Sequence, residues 1–438
     1  MNSKLETPAT QEVGAKLKER YHKEVLSNGL RVVTEEIPHV RSVSIGLWVE
    51  VGSKNEPVVL NGASHFIEHM LFKGTSNRTA IQIAEEMDRI GGQLNALTGR
   101  EYTCFYAKVL DEDISMAVDL LSDMFFNSLF DEEEIKKERD VVLEEIKMYE
   151  DTPDELIHDL FVQNVWHKHP LGQPVIGTAQ LVTQFSRSEV LNFFRQKYTP
   201  ERIIITVAGN IGSGQIIDEL SKIFGRAEGE RGEESHVPPP QIQPGIQVHY
   251  RDLEQVHFCL GTAGLPYAHE DRFALYVLNN ITGKSMSSRL FQEIREKRGL
   301  AYSIYSYHLA CHESGLFVVY GGVSLEHYAE VIKITLSELS KLKEERVGEA
   351  ELSKTKQQLK GNLVLSLEDT ASRMSRLAKT EIYFNRFFTI DEILSQIEAV
   401  TAEDVQRVAE NIFRNDSLTV TTIGPLGEEE AQQVALVC

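Results

Sequence analysis

The strongest constraint on the fold is an order of predicted elements that occurs twice along the chain. Residues 186–210, SRSEVLNFFRQKYTPERIIITVAGN, predict a helix followed by an Ile- and Val-rich strand, and residues 401–425, TAEDVQRVAENIFRNDSLTVTTIGP, predict the same order. Residues 91–110 and 299–323 each predict two strands that are entered through glycine and followed by an amphipathic helix. We therefore predict a duplicated chain with two homologous halves.

Each half is predicted to be α+β, with a mainly antiparallel sheet covered by helices, because paired strands alternate with long helices. The 438 residues also exceed the roughly 250 at which a single core usually stops growing. Residues 226–245, RAEGERGEESHVPPPQIQPG, have neither helical nor strand periodicity, which is typical of a linker. The predicted divisions are an N-terminal extension at 1–25, a first half at 26–226, a linker at 227–245 and a second half at 246–438.

Composition excludes several classes of protein. A formal net charge of −21 argues against a nucleic-acid partner and favours cationic partners such as basic peptides. No segment approaches the roughly 20 apolar residues of a membrane-spanning helix, and the N-terminus has no apolar signal core, so a cytoplasmic location is expected. Cys104, Cys259, Cys311 and Cys438 are far apart and form no CxxC pair, which indicates neither a disulfide framework nor a thiolate zinc site.

The segment His65-Phe-Ile-Glu68-His69 carries the most specific chemistry. On a helix the two histidines lie about 40° apart, and Glu68 lies within about 60° of His65. Two imidazoles on one face can hold a zinc ion, and a carboxylate beside them can act as general base for a water molecule. The order H-x-x-E-H is the inverse of the common zinc-protease motif. Taken alone, two histidines at this spacing also occur where they only cap or pack a helix.

A zinc hydrolase needs a third protein ligand, and residues 138–149, ERDVVLEEIKMY, offer the best candidate. On a helical wheel, Glu138 and Glu145 lie inside the apolar stripe, whereas Glu144 lies off it at about 240°. The apolar members of the stripe are Val141, Val142, Ile146 and Tyr149. We therefore predict Glu145 as the metal ligand and Glu138 as the residue that orients a ligand histidine.

An alternative explanation remains for these two carboxylates. Buried glutamates are commonly paired with arginine, and Arg139 or Arg100 could compensate Glu138 and Glu145 without any metal.

The motifs SHFIEHMLFKGT, ERDVVLEEI, HPLG and REKRGLAYSIYS resemble those of the pitrilysin or insulinase (M16) class of inverted-motif zinc peptidases. The similarity is greatest to short bacterial members related to the mitochondrial processing peptidase, and it covers nearly the whole chain from Leu26. It implies that the first half binds one Zn²⁺ through His65, His69 and Glu145, with Glu68 as base. It also implies a second half without the metal motif, and ALYVLNNITGKSMSSRLFQEI indeed contains no histidine.

The resemblance further implies where a peptide substrate binds. Residues 93–98, QLNALT, would form a sheet edge that pairs with an extended peptide, with Asn95 and Ala96 nearest the scissile bond. Phe66 would contact the substrate from the metal helix. Arg298 and Tyr302 in the second half would contact it and stabilise the oxyanion.

The expected function is thus a zinc endopeptidase that cleaves extended or unstructured peptides and works as a homodimer, because processing-peptidase relatives reach four halves by pairing two chains. A non-catalytic scaffold or assembly subunit of the same fold is the alternative from another class. A metal-dependent esterase or amidase acting on small molecules is compatible with the same site chemistry.

Overall fold

The strands form two separate sheets, one in each half of the chain. The structure is a computed structural model that describes residues 20–229, 232 and 237–438. The strands of the first sheet are β1 (Arg20–Val25), β2 (Arg31–Glu36), β3 (Ser42–Val49), β4 (Gln93–Thr98), β5 (Thr103–Leu110) and β6 (Ile203–Gly209). The strands of the second sheet are β7 (Gly245–Tyr250), β8 (Val256–Ala263), β9 (Ala301–Ala310), β10 (Gly315–Val323) and β11 (Thr419–Gly424).

The two sheets share one topology. Their strand orders are β1-β2-β6-β3-β5-β4 and β7-β11-β8-β10-β9, so the second matches the first without β1. The pairs β2–β6 and β7–β11 are parallel, and the other neighbouring strands are antiparallel. The predicted α+β class with two homologous, mainly antiparallel halves is therefore confirmed.

Helices cover both sheets. The helices of the first half are α1 (Ala63–Leu71), α2 (Ala80–Arg89), α3 (Ile114–Asn127), α4 (Glu132–Glu150), α5 (Pro153–Val165), α6 (Ala179–Val182), α7 (Arg187–Lys197) and α8 (Ser213–Phe224). Those of the second half are α9 (Arg272–Asn279), α10 (Tyr328–Glu344), α11 (Glu349–Ser366), α12 (Thr370–Phe384), α13 (Ile390–Ala399), α14 (Ala402–Ile412) and α15 (Glu428–Ala431). Two π-helical turns, Asn280–Lys284 and Phe291–Glu296, follow α9.

Equivalent helices in the two halves begin in the same way. At the start of α7, Ser186 Oγ accepts a hydrogen bond from Glu189 N, and at the start of α14, Thr401 Oγ1 accepts one from Asp404 N. In both cases the acidic side chain returns a bond to the backbone N–H of the capping residue. Both helices thus begin at a capping box, which satisfies amide groups that a helix start otherwise leaves unpaired.

Each sheet is covered on one face by a helix from the other half. Helix α5 of the first half packs against β8 and β11, and Phe161 and Ile423 share one apolar cluster there. Helix α12 of the second half packs against β2, β3 and β6, where Met374 joins Trp48 in another cluster. Each half thus has an apolar core of its own and a second, smaller cluster that it shares with a helix of the other half.

The boundaries differ from the predicted ones at the N-terminus. β1 lies inside the predicted extension at 1–25, yet it pairs with β2 from Arg20↔Glu36 to Val25↔Arg31. Its residues, RYHKEV, are mostly exposed, so this edge strand has no apolar run that would mark it in the sequence. The rest of the extension, residues 1–19, lies outside the described residues. No helix in the described part of the chain is both long and apolar enough to span a membrane.

Candidate metal centre

Helix α1 begins at a glycine whose conformation the packing demands. Gly62 has φ = 98°, and a Cβ atom placed on it would lie 2.8 Å from Ile176 O. Only glycine adopts this left-handed conformation without steric cost, and no side chain fits the space. The Asn61-Gly62 turn therefore sets the point at which α1 starts and, with it, the direction in which its histidines project.

A buried carboxylate, which the sequence did not reveal, holds the start of α1. Glu56 Oε2 accepts from Gly62 N at 2.7 Å, and Glu56 Oε1 accepts from Ser64 N at 2.6 Å. Burial raises the pKa of Glu56 to about 7, although these hydrogen bonds oppose the shift. The acceptor satisfies backbone donors that the helix itself cannot pair, at the end where negative charge is favoured.

Helix α4 packs beside α1 and presents two carboxylates toward it. Glu138 is buried among the stripe residues Ile135, Val142 and Ile146, whereas the side chain of Glu145 is 35% exposed at the margin of the stripe. Val141, which the wheel placed on the stripe, is 49% exposed and does not belong to it. Glu145 is therefore partly exposed at the edge of the core, where its carboxylate can meet a ligand.

The ligand atoms of His65, His69 and Glu145 lie within 4.8 Å of one another. His65 Nε2 is 3.3 Å from His69 Nε2 and 3.7 Å from Glu145 Oε1. His69 Nε2 is 3.5 Å from Glu145 Oε2. Among the residues the structure describes, this is the group of His, Cys, Asp or Glu side chains with metal-ligand spacing.

These distances fit a tetrahedral zinc site. Two zinc bonds of about 2.0–2.1 Å that meet at the tetrahedral angle set their ligand atoms about 3.3 Å apart. Burial, followed by the charge of His69, lowers the pKa of His65 to about 3, so the His65 imidazole is neutral at neutral pH and offers a lone pair. Two neutral imidazoles and a carboxylate are a ligand set that zinc accepts.

Glu138 and Lys73 fix the second histidine. His69 Nδ1 donates to Glu138 Oε1 at 2.8 Å, and Lys73 Nζ lies 2.6 Å from Glu138 Oε2. Burial alone would lower the pKa of His69, but the hydrogen bond and charge of Glu138 outweigh it and raise that pKa. A carboxylate can only accept, so Nδ1 carries a proton, and in the neutral ring the lone pair is on Nε2, which faces the centre. Lys73, four residues after His69, was missed in the sequence.

Glu68 lies between the centre and the sheet edge. Its Oε2 accepts a hydrogen bond from Thr98 Oγ1 at 2.5 Å, at the end of β4. Burial raises the pKa of Glu68, while the bond from Thr98 acts in the opposite direction. A carboxylate with a raised pKa beside a metal centre is suited to accept a proton from water. Thr98 is a second residue that the sequence did not identify.

The arginines that offered an alternative explanation for Glu138 and Glu145 bind elsewhere. Arg139 Nη2 donates to Phe185 O at 2.6 Å, and Arg100 Nη2 donates to Asp159 Oδ1 at 2.7 Å. The cation that pairs with Glu138 is Lys73 instead.

β4 is an edge strand whose neighbour within the described residues is β5. Ala96 faces the core on the α1 side, and its N–H is bonded to the side-chain oxygen of Asn95 at 2.8 Å. Asn95 is opposite Tyr106 of β5 and shares its face, which is turned away from α1. A peptide that pairs with this edge at Ala96 N has to displace the Asn95 side chain.

The predicted substrate contact of Phe66 is contradicted by the structure. Its side chain is 0% exposed, and its ring packs edge to face on Phe185 with centroids 5.6 Å apart. Phe66 lies on the opposite side of α1 from Glu68, because two residues correspond to a rotation of about 200° around the helix axis. The residue stabilises α1 through packing and is not accessible to a substrate.

Arg298 and Tyr302 do not act together in this structure. Arg298 Nη1 is bound to Glu293 Oε2 at 2.6 Å. Tyr302, on β9, is 80% exposed, and the guanidinium that lies over its ring, 4.8 Å from the centroid, belongs to Arg295. The two residues expected to contact the substrate are thus engaged separately, Arg298 by Glu293 and Tyr302 by Arg295.

The chain belongs to peptidase family M16. The family described as Insulinase (Peptidase family M16) matches residues 31–179, and the family described as Peptidase M16 inactive domain matches residues 184–359. The second match agrees with a second half that has lost the metal motif.

Relatives in several bacteria carry the words zinc protease in their names. An uncharacterized zinc protease of Bacillus subtilis, YmxG, is 46% identical over 91% of this chain and 97% of its own. Uncharacterized zinc proteases of Streptomyces coelicolor and Mycobacterium tuberculosis are 40% and 41% identical, each over 93% of this chain and over 90% and 93% of their own. These relatives support a metallopeptidase in general.

Two solved structures share the fold. A protease from Helicobacter pylori has a TM-score of 0.85 at 23% identity and covers 93% of this chain and 100% of its own. A peptidase M16 inactive domain from Pseudomonas fluorescens has a TM-score of 0.87 at 17% identity and covers 93% of this chain and 98% of its own. At this level of identity the similarity concerns the fold alone.

Proposed function

We propose that the protein is a zinc metalloendopeptidase with an inverted HxxEH motif that cleaves extended or unstructured peptides. The observation that carries this proposal is the spacing of His65 Nε2, His69 Nε2 and the Glu145 carboxylate, with Glu68 beside them. These three residues would hold one Zn²⁺ per chain. A zinc ion held there supplies Lewis acidity, which acidifies water and polarises a peptide carbonyl.

Side chains of the protein are proposed to transfer the proton and to position the catalytic groups. Glu68 removes the proton from the attacking water and then donates it to the leaving amine. Thr98 keeps the Glu68 carboxylate oriented through its hydroxyl. Glu138, neutralised by Lys73, holds His69 in the tautomer that leaves Nε2 free.

The substrate is proposed to bind as an additional strand. Backbone pairing with the edge of β4 at Asn95 and Ala96 gives affinity with little demand on sequence. The phenol of Tyr302, exposed on β9, is proposed to donate to the substrate carbonyl as it becomes an oxyanion. Arg298 is held by Glu293 through Nη1, and its side chain is 42% exposed, so its other nitrogens are proposed to contact the substrate. The net charge of −21 favours basic peptides.

A paired measurement tests the function. Purified protein should contain one zinc per chain and cleave an unstructured peptide, and Glu68→Gln should keep the zinc while turnover falls by about 100-fold or more. Zinc without cleavage of any peptide in a diverse library would instead favour the scaffold alternative. Cleavage of small esters in preference to peptides would favour the esterase alternative.

We also propose that the protein is a cytoplasmic homodimer, similar in organisation to processing peptidases. The support is that the chain carries two homologous halves and, among the described residues, one candidate metal centre, while cyclic pairing is the commonest route to a larger assembly. The cysteines Cys104, Cys259, Cys311 and Cys438 are free thiols, which agrees with a reducing compartment. A fully active 49.5 kDa monomer in light scattering would contradict the dimer.

A further inference from the structure

A cavity of about 550 Å³ lies between α12 and the first sheet, on the face of β4 that is turned away from the metal centre. Trp48 and Leu97 line it from the sheet, and Tyr276, Phe384 and Phe388 line it from the second half. The walls are thus mainly aromatic and aliphatic. Such walls favour an apolar ligand, whose orientation is then set by a few polar groups.

Two cationic side chains line this cavity without a carboxylate partner in the part of the chain that the structure describes. Arg272 donates to Gln396 Oε1 at 2.9 Å and to His269 O at 3.2 Å, and its guanidinium lies 4.4 Å from the centroid of the Phe273 ring. The side-chain ammonium of Lys379 has no hydrogen bond or ion pair with the described residues. Burial lowers the pKa of Lys379, and also that of Arg272, because the apolar walls disfavour charge.

The other charges on the cavity wall are already balanced. Asp369 is paired with Lys108 and accepts from Ser372 N at 2.9 Å. Arg376 lies 3.6 Å from Glu35. The uncompensated charge of the cavity is therefore positive, in a chain whose formal net charge is −21. A buried cation is costly unless an anion accompanies it, so this arrangement favours an anionic ligand.

The cavity and the metal centre lie on opposite faces of the edge strand β4. Leu97 faces the cavity, while its neighbour Thr98 faces Glu68 on the other side of β4. Successive residues of a strand point to opposite faces. A chain segment that lies along β4 can therefore extend toward either side of the sheet edge.

We propose that this cavity binds an apolar group that ends in a carboxylate, with the carboxylate between Lys379 and Arg272 and the apolar group against Trp48, Tyr276 and Phe384. The ligand is either a small aryl or alkyl carboxylic acid or the free C-terminus of a peptide that ends in an apolar residue. The two sources share this chemistry. The site does not depend on the metal centre or on peptidase activity.

Binding is tested with 4-phenylbutyrate and its uncharged analogue 4-phenylbutanamide. Trp48 is one of only two tryptophans and lines the cavity, so tryptophan fluorescence reports occupancy. The acid should bind at least tenfold more tightly than the amide, because a charge-assisted hydrogen bond contributes more than a neutral one. Equal affinity for both compounds would overturn the proposal.

Substitutions of Lys379 test whether its positive charge contributes to binding of the acid. Lys379→Met should weaken binding of the acid about tenfold or more, Lys379→Arg should largely restore it, and the exposed control Lys136→Met should leave it unchanged. Circular dichroism and thermal unfolding identify any variant that fails to fold. If Lys379→Met does not fold, Lys379→Arg is compared with the wild type instead. The quantity compared is the ratio of the affinities for the acid and for the amide. An unchanged preference in folded Lys379→Met protein would also overturn the proposal.

An experiment with peptides distinguishes the two possible ligands, a small carboxylic acid and a free peptide C-terminus. A short peptide that ends in phenylalanine, with either a free or an amidated C-terminus, is titrated into Glu68→Gln protein so that cleavage does not interfere. Preference for the free C-terminus that is lost in Lys379→Met assigns the site to peptide termini. Preference for 4-phenylbutyrate over its amide without a corresponding peptide preference assigns it to small acids, and absence of both preferences rejects it. Because the readout is binding, loss of peptidase activity does not affect the result.

Discussion

Thr98 Oγ1 donates a 2.5 Å hydrogen bond to Glu68 Oε2, and this bond joins edge strand β4 to the metal helix α1. The strand proposed to receive substrate therefore touches the carboxylate proposed to act as base. Movement of β4 on peptide binding would be transmitted directly to Glu68.

The first prediction concerns this bond. Thr98→Val keeps the shape of the side chain but removes the hydroxyl, so kcat should fall about fivefold, which corresponds to the roughly 1 kcal/mol of one hydrogen bond. Thr98→Ser keeps the hydroxyl and should remain close to the wild type. Peptide cleavage at saturating substrate measures the difference, and equal kcat values for the two variants would show that the bond has no catalytic role.

The second prediction distinguishes two adjacent glutamates. Glu145→Gln should strip or strongly weaken zinc binding, because it removes one of three ligands. Glu144 is exposed and paired with Lys147 at 2.7 Å, so Glu144→Gln is the matched control and should retain full zinc. Metal analysis after dialysis gives the ranking, and the reverse order would exclude Glu145 as a ligand.

The third prediction tests the support of His69. Glu138→Gln removes the negative charge that His69 Nδ1 and Lys73 share, so zinc affinity should fall about 10- to 100-fold. Glu134, on the same helix and paired with exposed Lys137, provides the control Glu134→Gln. Competition with a chelator of known affinity measures both variants. Unchanged affinity in Glu138→Gln would limit Glu138 to a packing role.

The fourth prediction concerns the second half. Tyr302→Phe removes a phenol that is exposed on β9 and should lower kcat about 10-fold or more while zinc content stays at one per chain. The neighbouring residue Tyr305, whose hydroxyl is 3.1 Å from His158 Nε2, gives the control Tyr305→Phe. If the two variants have the same activity, Tyr302 does not contribute an oxyanion donor.

The fifth prediction concerns stability across the two halves. Glu35 on β2 is 1% exposed in its side chain and pairs with Arg373 of α12 at 2.5 Å. Arg373→Met leaves this carboxylate with Arg376 alone and should lower the free energy of unfolding by about 3 kcal/mol. The exposed pair Arg346–Glu403 supplies the control Arg346→Met, expected to cost under about 1 kcal/mol. Chemical denaturation measures both, and equal losses would contradict the prediction.

The sequence predicted those parts of the molecule that depend on local pattern. Helix α1 and the common side on which His65, Glu68 and His69 lie follow from helical spacing, and the duplicated order of strands follows from apolar periodicity. The wheel also separated Glu145 from Glu144, although Val141 proved to be exposed. These features are local because a helix or strand repeats its own geometry over a few residues.

The residues that the sequence missed depend on contacts between distant segments. Thr98 reaches Glu68 across 30 positions, and Glu56 binds the start of α1 through a bend that no periodicity marks. The contact of Arg295 with the ring of Tyr302 joins the π-helical turn Phe291–Glu296 to β9, and no periodicity in the sequence indicates it. Phe66 was misassigned because its place in the motif does not reveal that it faces the core.

The exchange of α5 and α12 between the sheets has a consequence for how the gene can be divided. A gene split in the linker would yield two polypeptides, each with an apolar sheet face that only the other polypeptide can cover. Each fragment made alone should aggregate or be degraded, whereas the two expressed together should assemble into one particle. Each copy keeps an apolar core of its own, yet one face of its sheet is covered only by a helix of the other copy, so separating the copies would expose that face to water.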